Sequence, residues 1–225
     1  MNDCPQMKGK GVLIFGDSIS VGVYTGEEDE YPKTFVKETW HEILCRKMNA
    51  AEVDNDSISG TSISALSPVM SEKALVRRYI ENKTPADVVI VAEGTNDFGN
   101  NVPLGKKSDK GDVSFYGALD SLCRGLKETY PDARILFVTP IGRFDDECNQ
   151  IGLSLDDYRE AIAQIAGKRY GFFVIDGGKL GFKAHDEDFR RRILRDGVHP
   201  NQEGHELLAR AVLKAIKQWK DEENT

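Results

Sequence analysis

The 225-residue sequence is short of several things, and each shortage closes off a class of function. No window approaches the ~18 consecutive apolar residues that a membrane-crossing helix needs. The opening segment, MNDCPQMKGK, has no apolar stretch of the kind that marks a secretory leader. Basic residues are outnumbered, with 30 Lys and Arg against 37 Asp and Glu and a formal charge of −7. Without a basic excess the chain has little with which to displace counterions from a phosphate backbone, so nucleic acid is not an expected partner. Only four cysteines occur, Cys4, Cys45, Cys123 and Cys148, too scattered for a CxxC zinc site or a disulfide framework. Reduced thiols in a cytoplasmic protein are the expectation.

Apolar residues, at 40%, are enough to fill a core, and they are organised. GVLIF at 11–15 is a continuous apolar run, as a strand buried on both faces requires. Val36, Trp40, Ile43, Leu44 and Met48 then recur at helical spacing. AEVDN at 51–55 reads as a second strand, and a less regular helix covers 71–82. DVVIVA at 87–92 is a third strand, followed by a helix with Phe115, Leu119, Leu122, Cys123 and Leu126 on one face. ARILFVTP at 133–140 and GFFVID at 171–176 flank a helix carrying Leu155, Tyr158, Ile162 and Ile165. The last helix presents Leu208, Ala211, Val212, Ala215, Ile216 and Trp219, with Asn201 placed to cap it. Strand and helix in steady alternation predict one parallel sheet covered on both faces, whose ligands sit beyond the carboxyl ends of the strands.

The chemistry-bearing residues fall in those places. Gly16-Asp17-Ser18 ends the first strand, where Ser18 either caps a helix or turns its hydroxyl into the crevice. A serine nucleophile needs a base held by a carboxylate. Of four histidines, the pattern puts His41 on the exposed side of a helix and His205 off the apolar face of another. His185 falls in the charged stretch KAHDEDFRRR, expected to be a solvated loop. His199 lies in Asp196-Gly197-Val198-His199-Pro200, just before the last helix, with Asp196 three residues upstream. Gly94-Thr95-Asn96-Asp97 ends the third strand, where an Asn amide can face a developing oxyanion. Gly60, after the second strand, allows a close backbone approach. Each segment alone is commonly a simple turn; the four together are harder to explain that way.

In this combination the sequence resembles the SGNH hydrolase superfamily, the GDSL-like lipases and esterases. The four residues of that name appear in order as Ser18, Gly60, Asn96 and His199, and the resemblance runs from residue 11 to about 219. It implies a flavodoxin-like three-layer α/β/α sandwich with a five-stranded parallel sheet, as one domain over 1–225. It also implies Ser18 as nucleophile, His199 as base and Asp196 as its orienter. The oxyanion hole would comprise the Ser18 and Gly60 N–H groups and the Asn96 amide, with Asp17, Thr95 and Asp97 supporting the site or contacting substrate. Two departures stand out. Ile19-Ser20 replaces the signature leucine, and Ser57 stands where the second block often has its first glycine, although Asn55 and Gly60 match.

The loops at 22–33, 98–112 and 141–154 are polar or acidic and hold no long apolar stretch. Short acyl groups, such as acetyl esters on a carbohydrate, are therefore expected, without cofactor or metal. Lysophospholipase and thioesterase activities belong to the same resemblance. A metal-dependent phosphoesterase and a non-catalytic sugar-binding module are the rival classes.

Overall fold

A computed structural model describes residue 4 and residues 7–219. Its centre is a five-stranded parallel sheet built from β1 (Gly11–Gly16), β4 (Ala51–Ser57), β5 (Val88–Ala92), β6 (Arg134–Val138) and β7 (Phe173–Ile175). The strand order is β4-β1-β5-β6-β7, the flavodoxin arrangement, so the direction of winding reverses between β1 and β5. Side-chain alternation along β1 divides the core in two. Val12 and Ile14 face one layer, while Leu13 and Phe15 face the other.

The first layer holds α2 (Trp40–Met48), α7 (Glu187–Ile193) and α8 (Gln202–Ile216), through residues such as Trp40, Ile193, Leu208 and Val212. The second holds α3 (Leu75–Arg78), α5 (Phe115–Thr129) and α6 (Leu155–Ile162), which runs on as a π-helical stretch at Ala163–Arg169. Asn201 caps α8 as expected, its side chain accepting from Gly204 N–H at 3.2 Å. Edge strand β4 carries Glu52, Asp54 and Asp56, and such charges discourage a further strand from adding there.

Several expectations need correction. The charged segment around His185 is not simply a loop: α7 begins at Glu187, with Asp186 as N-cap accepting from Phe189 N–H at 2.9 Å. The expected helix at 71–82 is a 3-10 turn, Ser71–Lys73, followed by the single turn of α3. His41 is fully buried rather than exposed, its Nε2 2.8 Å from the Ser20 carbonyl and its Nδ1 against Glu52. His205 is buried too, and its Nδ1 accepts the Trp40 N–H at 2.9 Å. A helical wheel misses both because their partners lie on β4 and α2, not on their own helix. Burial and the neighbouring His41 push the His205 imidazole down to about 3.

The loop after β1 folds back as a small hairpin, with β2 (Val23–Tyr24) antiparallel to β3 (Thr34–Phe35). Among the described residues no helix is long and apolar enough to cross a membrane.

Candidate active site

The turn leaving β1 enters α1 (Ser18–Val21), whose N-cap is Asp17; its carboxylate accepts from Ile19 N–H at 2.9 Å. That resolves the choice left open for Ser18. With capping done by Asp17, Ser18 is the first helical residue and its Oγ lies 2.8 Å from His199 Nε2. On the far side of the ring, His199 Nδ1 is 2.9 Å from Asp196 Oδ2. A carboxylate can only accept, so the ring proton belongs on Nδ1, and Nε2 is left to accept from the Ser18 hydroxyl.

Asp196 is itself held firmly. Its Oδ1 accepts the backbone N–H groups of Val198 and His199 at 2.9 and 2.8 Å. Thr25 Oγ1, from the hairpin loop, donates to Oδ2 at 2.8 Å. Burial pushes this carboxyl up, but the bonds from the His199 ring and from the two backbone groups outweigh it and hold it well below the usual carboxylate range. The sharp turn needs glycine between the two side chains. Gly197 has φ +81°, and a Cβ there would lie 2.6 Å from that of Phe144.

Two further segments complete the crevice. Asn96 sits in α4 (Thr95–Gly99), directly after β5, and its Nδ2 donates to the Thr61 carbonyl at 2.7 Å. That fixes the amide plane while leaving its second N–H for another acceptor. Gly60 takes φ +80°, with only Met70 Sδ near a notional Cβ, at 3.6 Å. Its requirement is conformational rather than a matter of space.

Asp17, Thr95 and Asp97 all lie inside the fold rather than at its mouth. Asp97 accepts from Ile63 N–H at 2.8 Å and Ser64 N–H at 2.9 Å, which ties the segment after Gly60 to α4. Thr95 takes two contacts from Arg143 Nη1, at 3.1 Å to its carbonyl and 3.2 Å to its hydroxyl. Burial raises Asp17 to about 6 against the pull of the Ile19 N–H and His199, and raises Asp97 to about 7 against its backbone bonds.

A buried ion pair that the sequence pattern did not reveal braces these turns from below. Arg78 contacts Glu93, donates to the Gly16 carbonyl at 3.2 Å and reaches the Asp56 carbonyl at 2.5 Å. Glu93 also accepts from Thr61 Oγ1 at 3.1 Å, so the pair reaches the residue that orients Asn96. Burial pushes the Glu93 carboxyl up, and the Arg78 guanidinium beside it pulls it back down. The one available signal was Glu93 itself, an acidic residue immediately after an apolar strand.

Residues 14–207 match the model of the GDSL-like lipase/acylhydrolase family. The chain belongs to that family. This acylhydrolase is similar in structure to a protein from Lactobacillus plantarum, with a TM-score of 0.80 and 27% identity over 95% of this chain and 99% of the other. It shares its fold with the lipase/acylhydrolase from Enterococcus faecalis, with a TM-score of 0.61 and 20% identity over 93% and 96% of the two chains. A variant of an acetyl xylan esterase from Geobacillus stearothermophilus also shares it, with a TM-score of 0.63 and 22% identity over 93% and 95%. In sequence, 84 residues are 32% identical to an acetylxylan esterase from Xylanibacter ruminicola, covering 37% of this chain but only 16% of that one. Membership makes the acylhydrolase an enzyme acting on ester bonds.

Proposed function

We propose that the acylhydrolase is a serine esterase that removes short acyl groups, above all acetyl, from a carbohydrate or other small ester. The observation that carries the reading is the continuous relay from Ser18 Oγ through His199 to Asp196, at 2.8 and 2.9 Å. In the first step His199 Nε2 takes the Ser18 proton as Oγ bonds to the ester carbonyl carbon. The carbonyl oxygen becomes an oxyanion facing the Ser18 and Gly60 N–H groups and the Asn96 amide. Collapse expels the alcohol, which leaves with the proton from His199. Water then adds to the acyl-enzyme, giving its proton to His199, and the carboxylic acid departs as Ser18 recovers its hydrogen.

The preference for a small acyl group rests on the walls. The loop over the Asp196 side carries exposed Glu27, Glu28 and Glu30, which are poor company for a fatty chain. Similarity to two acetylxylan esterases points the same way. Met70 lies beside Gly60, however, and it is exposed together with Leu66 and Val69 from the same loop, which favours a second reading in which a longer acyl chain is taken. The proposal treats residues 1–225 as one catalytic domain with its core at about 11–219.

Hydrolysis of p-nitrophenyl acetate, butyrate and octanoate by wild type and Ser18→Ala, with and without EDTA, tests the assignment. Rates highest on acetate, indifferent to EDTA and lost in Ser18→Ala are expected. A maximum on octanoate would transfer the assignment to the longer-chain reading. Activity surviving in Ser18→Ala, or abolished by EDTA, would overturn the serine mechanism.

A further inference from the structure

The small hairpin at β2–β3 has no place in a bare serine–histidine–aspartate relay, yet one of its residues touches that relay. Thr25 is buried, and its hydroxyl donates to the same Asp196 oxygen that accepts from the His199 ring, at 2.8 Å. Counting the two backbone N–H groups on the other oxygen, Asp196 receives four donors in all. A carboxylate offers about four lone-pair sites, so these donors saturate it. Three of the four come from the turn 196–199 itself; Thr25 supplies the one from elsewhere in the chain, 171 positions away.

The loop that delivers Thr25 is anchored as a unit. Asp29 accepts from Gly26 N–H at 3.1 Å and from Thr34 Oγ1 at 2.5 Å, and pairs with Lys33 at 3.1 Å. Arg195, the residue before Asp196, donates to the Gly26 carbonyl at 2.5 Å. The two segments therefore clasp each other on either side of the carboxylate. A β-branched residue suits the task, because its χ1 is stiff and its hydroxyl stays aimed.

We infer that Thr25 is a positioning residue for the reaction: its hydroxyl fixes the plane of the Asp196 carboxylate, and so the aim of His199 at Ser18. The inference rests on the serine-esterase reading above. Without the hydroxyl, Oδ1 keeps its two backbone donors but Oδ2 is held by the His199 ring alone, so the tilt of the carboxylate, and of the imidazole bonded to it, is less firmly fixed. The consequence belongs to turnover rather than to substrate binding, since Thr25 reaches the reacting atoms only through Asp196.

A double-mutant cycle on p-nitrophenyl acetate separates this role from a merely structural one. Thr25→Val is expected to lower kcat about tenfold with KM little changed, less than the ~10²-fold that a full ångström of misplacement can cost. Thr25→Ser, which keeps the donor, should restore most of the loss. Introduced into Asp196→Ala, Thr25→Val should cost nothing further, because the group it aims is gone. An equal loss in both backgrounds would overturn the inference, as would a Thr25→Val enzyme with wild-type kcat. If Ser18→Ala retained activity, the esterase reading would have failed instead, a result the Thr25 series cannot mimic.

Discussion

At the scale of single residues, the site follows from a division of labour between neighbours. Asp17 caps α1, so Ser18 has its hydroxyl free for His199. Asn96 spends one N–H on Thr61 and keeps the other. Removing that second donor by Asn96→Ala should lower kcat ~10²–10³-fold, about 3–4 kcal/mol of transition-state stabilisation. Asp196→Ala should damage turnover less than Ser18→Ala, since an unoriented imidazole can still accept a proton. Steady-state kinetics of the three variants orders them, and an Asn96→Ala enzyme with wild-type kcat would remove Asn96 from the oxyanion site. Ser18, Gly60, Asn96, Asp196 and His199 could be named as candidates from the sequence because each is a particular residue type at a strand end or before a helix. Thr25 could not: a threonine in an acidic loop carries no spacing signal, and its partner is 171 positions away.

At the scale of elements, the strands were legible because a doubly covered sheet demands unbroken apolar runs such as VVIVA. Short helices were not, since α3, α4 and α7 hold between four and seven residues, too few to display a period. Arg78 lies at the end of α3, and nothing near it in sequence shows that its charge is answered by Glu93, from the end of β5. The pair joins the ends of β1, β4 and β5, from which Ser18, Gly60 and Asn96 emerge. Truncating one member of a buried pair strands the other, so Arg78→Ala should destabilise the fold by about 3–5 kcal/mol. Adding Glu93→Gln to that variant should recover part of the loss. Urea titration of the single and double variants measures both, and an Arg78→Ala midpoint equal to wild type would deny the brace its role.

At the scale of the whole molecule, two buried carboxylates, Asp17 and Asp97, link stability to pH. Burial raises Asp17 to about 6 and Asp97 to about 7, so the folded chain keeps protons that the unfolded chain releases near pH 4. Their contribution is complete at low pH and is lost as pH rises through those values. Asp196, Asp29 and Asp87 are held low instead, and their contribution is lost in acid. The thermal midpoint should therefore climb from about pH 8.5 to about pH 5.5 and fall again below about pH 4, where the second set protonates. Calorimetry across that range checks it, and a midpoint falling steadily from pH 8.5 to 5.5 would contradict the assignment of the buried acids. The layered sheet was legible in outline, whereas this charge balance was not, because it depends on which acids the fold encloses. The most direct test of the serine mechanism is also made on the intact chain, by mass spectrometry after exposure to a fluorophosphonate. The account predicts one adduct per chain, located on Ser18 and absent from Ser18→Ala. An enzyme that cleaves p-nitrophenyl acetate but takes no adduct, or a Ser18→Ala variant labelled as readily as wild type, would contradict it.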